Sequence, residues 1–218
     1  MIKTVIFDIG NVLADFSWEP FYRSFGFSEE IFERLANATV RSEQWNELDR
    51  GALTTEEILA SFEANDPELK DILKQVFTDV GPMVTKRDYA SQWVKSIKQQ
   101  GCQVLYLSNF GELTRAHCAP ALEFMDYMDG GIMSYECKLI KPEPEIYKAL
   151  VEKYQLNPQE CVFIDDLAVN IKAAEAMGFH TILATDHETV VHSLSAMGIT
   201  DYRKDGGTRC IPETKKFK

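Results

Sequence analysis

The chain has 218 residues, 45% of them hydrophobic and 26% charged, enough apolar material to bury one α/β domain or one domain carrying a modest insertion. A formal net charge of −11 gives no broad cationic field, which excludes a nucleic-acid or membrane-surface protein but leaves room for a small anion held by a local cation. The five cysteines are scattered without a CxxC pair, and no segment reads as a signal peptide or a bilayer span, so a cytoplasmic protein with reduced thiols is expected.

In chain order, the first predicted element is a buried strand, Thr4–Ile9. From about Asp15 to Val84 the pattern is helical and no strand stands out. Asp49-Arg50-Gly51 and Asn65-Asp66-Pro67 punctuate that stretch as turns. Lys86–Gln100 spaces Tyr89, Trp93 and Ile97 four apart and stops at Gly101, which suits a helix with a glycine cap. A strand at Gln103–Leu107 follows, then a helix at Glu145–Gln155, a strand at Cys161–Ile164 and a helix at Ala168–Met177 ending at Gly178. Thr181–Ala184 reads as a fourth strand, and Asp186–Met197 as a helix begun by an N-cap-type residue. Strands alternating with helices predict an α/β fold, a Rossmann-like doubly wound parallel sheet. Its core is expected from residues 1–14 and 85–200, with a small helical cap inserted at 15–84. The polar segment 201–218 is expected to be a loosely held tail.

In such a sheet, ligands bind beyond the carboxyl ends of the strands, so each strand end is the place to look for chemistry. The first strand ends at Asp8, followed by Ile9-Gly10-Asn11. A carboxylate there can attack phosphorus and divide a hard hydrolysis into two steps, or it can simply begin a turn. The second strand ends in Ser108-Asn109, a hydroxyl and an amide able to donate to phosphoryl oxygens. The third ends in Asp165-Asp166, adjacent carboxylates that repel unless a cation lies between them or one takes a proton. With Asp8 they form an oxygen-only set suited to Mg²⁺, with no His or Cys for zinc. Lys141 precedes Pro142-Glu143-Pro144, a stiff base from which an ammonium can neutralise the charge of the site.

In this order, Asp8, Ser108, Lys141 and Asp165-Asp166 resemble the four motifs of the haloacid dehalogenase-like hydrolase superfamily. The likeness covers roughly residues 1–198 and puts the helical insertion where the family carries its first type of cap. The stretches Phe7–Val12, Lys141–Tyr147 and Phe163–Asn170 look most like the sugar-phosphate (glucose-1-phosphate) phosphatase branch and the amino-terminal phosphatase domain of soluble epoxide hydrolases. The resemblance implies magnesium-dependent hydrolysis of a small phosphomonoester, a sugar phosphate by that branch, through an aspartyl-phosphate. It makes Asp8 nucleophile and metal ligand. Asp166 becomes a direct ligand, Asp165 a direct or water-mediated one, and Gly10 a ligand through its backbone carbonyl. Ser108, Asn109 and Lys141 bind phosphate. Trp45, beside Gln44 and Asn46 in the cap, is the candidate for a substrate-facing ring. A small-molecule partner is implied, with no nucleic acid or membrane, in a monomer or homodimer.

One departure stands out. Most phosphatases of this superfamily carry an acid/base aspartate where this chain has Gly10, and such help is commonly worth ~10²–10⁴-fold. A bound water or Asp15 is expected to take over the proton. Two other readings share the same residues: a metal-free haloacid dehalogenase, and a phospho-ligand binding protein weakened in catalysis.

Overall fold

The structure is a computed structural model that describes residues 1–200; the tail expected at 201–218 lies outside the described residues. The chain opens with β1 (Thr4–Phe7) and a short β2 (Ala14–Phe16). It then runs through α1 (Trp18–Arg23), α2 (Glu29–Ala38), α3 (Glu43–Arg50), α4 (Thr55–Asn65) and α5 (Lys70–Val76) before β3 (Val84–Lys86). The remainder comprises α6 (Ala90–Gln99), β4 (Gln103–Ser108), α7 (Glu112–His117), β5 (Gly130–Met133), α8 (Ser134–Cys137), α9 (Pro144–Tyr154), β6 (Cys161–Asp165), α10 (Ala168–Ala176), β7 (His180–Leu183) and α11 (His187–Ala196).

Five strands form one parallel sheet in the order β5-β4-β1-β6-β7. The chain lays β4 and β5 on one side of β1, then returns to lay β6 and β7 on the other. The direction of winding therefore reverses between β1 and β6, where an open α/β sheet leaves a crevice. All four residues of β1 are buried because both faces of the sheet are covered. Val5 and Phe7 join Trp93, Val94 and Ile97 of α6 and Val190 and Leu194 of α11 on one face. Ile6 joins Ile146 and Leu150 of α9 and Ile171 of α10 on the other. Two edge-to-face ring pairs, Phe7–Trp93 with centroids 4.9 Å apart and Tyr147–Phe163 at 5.8 Å, lock these layers. The expected doubly wound sheet with an inserted helical cap is what forms.

Two features depart from the sequence expectation. A fifth parallel strand, β5, lies at the sheet edge, although its Gly130-Gly131 opening has no β propensity. Glycine is required there by crowding: a Cβ on Gly131 would lie 2.2 Å from the carbonyl oxygen of Tyr106. In addition, β2 and β3 pair antiparallel, Ala14 with Lys86 and Phe16 with Val84, as a ribbon that carries the chain into and out of the helical insertion. Three residues per strand are too few for alternation to be read.

The insertion has a core of its own, in which Tyr22, Leu35, Phe62 and Val76 are fully buried. Its helices start where the sequence supplies caps: Ser28 accepts the Ile31 amide, and Thr54 and Glu57 form a reciprocal capping box. The predicted Asp49-Arg50-Gly51 turn is the end of α3, with Gly51 in the left-handed conformation at φ 66°. Among the described residues the four cysteines are free thiols, and no helix is long and apolar enough to cross a membrane. Leu35→Ala, which empties the centre of the cap, should cost about 2–5 kcal/mol, seen as a lower urea midpoint in chemical denaturation.

Candidate active site

Four separated stretches meet at the carboxyl ends of β1, β4 and β6. Asp8 follows β1, its amide donating to the Ile164 carbonyl at 2.8 Å, so the sheet's own ladder fixes its backbone. Ser108 closes β4 and donates its hydroxyl to Asp8 Oδ1 at 2.7 Å. The same oxygen accepts the Ile9 amide at 2.7 Å and meets the Lys141 ammonium at 2.9 Å. All three interactions fall on Oδ1, leaving Oδ2 without a protein donor among the described residues.

Lys141 is almost wholly buried, and its Nζ also lies 2.6 Å from Asp165 Oδ2. One cation thus bridges two buried carboxylates. Asp165 is fully buried; its other contacts come from the Leu167 amide at 2.8 Å and from Asn170 Nδ2 at 3.0 and 3.1 Å. The Lys141 backbone is held by Asn109, whose amide donates to the Lys141 carbonyl at 2.9 Å while its Oδ1 accepts the Lys141 N–H at 2.7 Å. The Asn109 side chain thus positions the lysine loop while it also lines the cavity.

Charge and burial compete strongly here. Burial, the largest influence, pushes the Asp8 carboxyl up to about 6, with Lys141 pulling it back and Asp165 pushing it up again. For Lys141, burial acts downward most strongly, but Asp8 and Asp165 outweigh it and hold the ammonium above its ordinary value. Asp166, partly exposed, is raised by burial against the pull of a 3.0 Å hydrogen bond from Asn11 Nδ2. Asn11 also accepts the Phe16 amide on its Oδ1, tying the loop after β1 to the root of the cap.

These residues line a cavity of about 310 Å³ between the sheet and the insertion, with Asp8, Gly10, Ser108, Asn109, Lys141 and Asp166 on one side. Asp165 stands behind that wall and is not part of the lining. Trp45 faces the cavity from the cap with its ring between Phe16, 5.9 Å away, and Phe62, 6.1 Å away. Asp15 lines the cavity too, but its carboxylate is held by Arg87 at 2.6 Å, an ion pair that leaves it poorly suited to the proton transfer expected of it. Gly10 keeps open space beside it: a Cβ there would meet nothing within 4 Å.

One carboxylate oxygen from each of Asp8, Asp165 and Asp166 lies within 4.8 Å of the others, an oxygen-only donor set of the kind a hard divalent cation takes. Asp8 and Asp166 present theirs to the cavity, whereas those of Asp165 already accept from Lys141, Asn170 and Leu167.

Two contributors escape a reading of the sequence. Asn170, in the first turn of α10, holds both oxygens of Asp165 and could have been suspected from its place just after the paired aspartates. Asp49, at the end of α3, lines the cavity from the cap side, where burial and then the charge of Asp8 raise its carboxyl to about 7. Nothing in its local sequence distinguishes it from turn punctuation.

A family model for haloacid dehalogenase-like hydrolases matches residues 2–178, and the chain belongs to that family of enzymes. It is 28% identical to a D-ribitol-5-phosphate phosphatase of Bacteroides thetaiotaomicron, over 83% of this chain and 91% of that protein. It is 26% identical to acyl-CoA dehydrogenase family member 10 of Mus musculus over 97% of this chain, which spans only 21% of that much longer protein. The bifunctional epoxide hydrolase 2 of Rattus norvegicus matches 37% of this chain and 14% of its own length at 36% identity. Among solved structures, a magnesium complex of a haloacid dehalogenase family enzyme from Bacteroides thetaiotaomicron shares the fold, with a TM-score of 0.69 at 24% identity over 88% of this chain and 98% of that one.

The raised carboxyl of Asp49 binds its proton more tightly in the folded than in the unfolded chain, where its value is near 3.8. Ionising it therefore destabilises the fold, and the cost sets in as pH rises from about 4 and is complete above about 7. Metal-free Asp49→Asn should match the parent in stability at pH 3.5 and exceed it at pH 8, as urea titrations at the two pH values would show.

Proposed function

We propose that this protein is a magnesium-dependent phosphatase that hydrolyses a small phosphomonoester through an aspartyl-phosphate on Asp8. The observation that carries the reading is the buried Lys141 shared between Asp8 and Asp165, beside Asp166 at the mouth of one cavity. A nucleophilic carboxylate, a fixed cation and further hard oxygens are what phosphoryl transfer to an aspartate requires.

In this reading Asp8, Asp166 and the Gly10 carbonyl would hold Mg²⁺, with Asp165 serving it directly or through water while anchoring Lys141. When bound, the cation offsets the charge of the carboxylates and of the phosphoryl group. Ser108 and Lys141 fix one oxygen of Asp8, leaving the other to attack phosphorus, and they then supply donors to the equatorial oxygens. Asn109 acts by keeping the lysine in place. Water completes the cycle by hydrolysing the acyl phosphate.

Residues 1–14 and 85–200 serve as the catalytic core and 15–84 as the cap that closes over the substrate. Cap aromatics Trp45 and Phe16, beside the amide of Asn46, suit a ligand with both flat apolar and hydroxylated surfaces. A phosphorylated sugar or polyol fits that wall, and the ribitol-phosphate phosphatase among the relatives supports the same class. Displacing a halide needs no divalent cation, so the third carboxylate at Asp166 favours phosphatase over dehalogenase.

Asp8→Asn should abolish turnover of p-nitrophenyl phosphate, by at least about 10³-fold, while circular dichroism stays unchanged. EDTA should stop the parent enzyme and added magnesium should restore it. Turnover that persists in EDTA on a halogenated acid would identify a dehalogenase instead. Asp166→Ala should raise the magnesium concentration needed for half-maximal rate by roughly 10–100-fold in a metal titration.

A further inference from the structure

The alcohol of an alkyl phosphate is a poor leaving group at neutral pH unless its oxygen receives a proton, and the loop after the nucleophile supplies no acid. Gly10 has no side chain, although the space around it would admit one. A side chain that supplies the proton has to stand on another wall of the cavity. Asp8 is the nucleophile and Asp166 is assigned to the cation. Lys141 is shared between two carboxylates, and Asp15 is paired with Arg87. Asp49 is the remaining titratable group on the lining, and no cation pairs with it among the described residues.

We propose that Asp49, carried by the cap, is the general acid and base of the reaction, a role that rests on the phosphatase reading above. Its placement is built rather than incidental. The Ser134 hydroxyl donates to the Asp49 backbone carbonyl, and Ser134 is itself buried and accepts the Phe110 amide at 2.8 Å. Arg50 grips Glu143 with two bonds of 2.7 and 2.9 Å, and Lys138 donates to the carbonyl of Gly51. Three consecutive cap residues are thus pinned to the core. Gly111 lines the same cavity, and its backbone draws the Asp49 carboxyl down slightly against the larger effect of burial. A proton affinity lifted towards neutrality supports the same role, since such a group can both give and accept a proton at pH 7.

In the first step Asp8 forms a bond to phosphorus while the bond from phosphorus to the ester oxygen breaks. The released electron pair on that oxygen takes the proton of Asp49, so alcohol departs and Asp49 is left as carboxylate. In the second step that carboxylate accepts a proton from water as the water oxygen bonds to phosphorus. The bond between phosphorus and Asp8 breaks, and its electrons return to the Asp8 carboxylate. Phosphate leaves, and Asp49 is protonated for the next cycle.

The test compares ribitol 5-phosphate, whose alcohol needs a proton, with p-nitrophenyl phosphate, whose phenolate does not. In Asp49→Asn, kcat/KM for ribitol 5-phosphate should fall by ~10²–10⁴-fold. With p-nitrophenyl phosphate the variant should release a rapid burst of nitrophenolate equal to the enzyme present, followed by slow turnover as the aspartyl-phosphate accumulates. The burst also reports a folded nucleophile site, and Asp49→Ser is read in the same assay if the amide variant does not fold. Equal losses on both esters with no burst, or no loss on either, would overturn the assignment. A parent enzyme inert to both esters with magnesium would instead overturn the phosphatase reading, and this proposal with it.

Discussion

Two carboxylates and one ammonium buried within bonding distance of each other are the constraint around which this molecule is arranged. Asp8 and Asp165 lie at the ends of neighbouring strands, out of water, where each alone would carry a large desolvation cost. Lys141 touches both, at 2.9 and 2.6 Å. Removing one member of such a set typically costs 3–5 kcal/mol, because a charge is left buried without its counterpart. A hydrophobic replacement of the whole set would offset much of that cost, so the arrangement is poorly explained as a device for stability. It is well explained as a nucleophile held ready beside a cation.

Much of the surrounding structure serves to keep that contact in place. Asn109 clasps the Lys141 backbone, Asn170 and the Leu167 amide hold Asp165, and Ser108 fixes Asp8. The sheet order puts β1 and β6 side by side at the point where winding reverses, which brings Asp8 next to the Asp165-Asp166 pair although they are distant in sequence. The cap then closes the opposite wall. Its own core makes it a stiff platform, and the contacts around Arg50 and Gly51 register it against the catalytic side.

The parts that the sequence made legible were those with strong, local physical signals. β1, β4 and β6 are buried on both faces and so appear as continuous apolar runs, and the polar residue ending each one is conspicuous. β5 was hidden because its glycines answer to the Tyr106 carbonyl of a neighbouring strand. The ribbon of β2 and β3 was hidden by its brevity. Asn109 was legible as a polar residue at a strand end, but its bonds to the Lys141 backbone were not, because they depend on a loop far along the chain. Asp49 looked like a turn residue, because its importance comes from the cap folding over Asp8 and nothing local signals it.

In the proposed reaction Asp8 becomes covalently phosphorylated. Rapid acid quench during turnover, followed by borohydride reduction and peptide mass spectrometry, reads this directly, since reduction of an aspartyl-phosphate leaves homoserine at that position. Homoserine at residue 8, appearing only with magnesium and a phosphate ester, is the expected result. Full turnover with residue 8 recovered solely as aspartate, or homoserine at another carboxylate, would contradict the account.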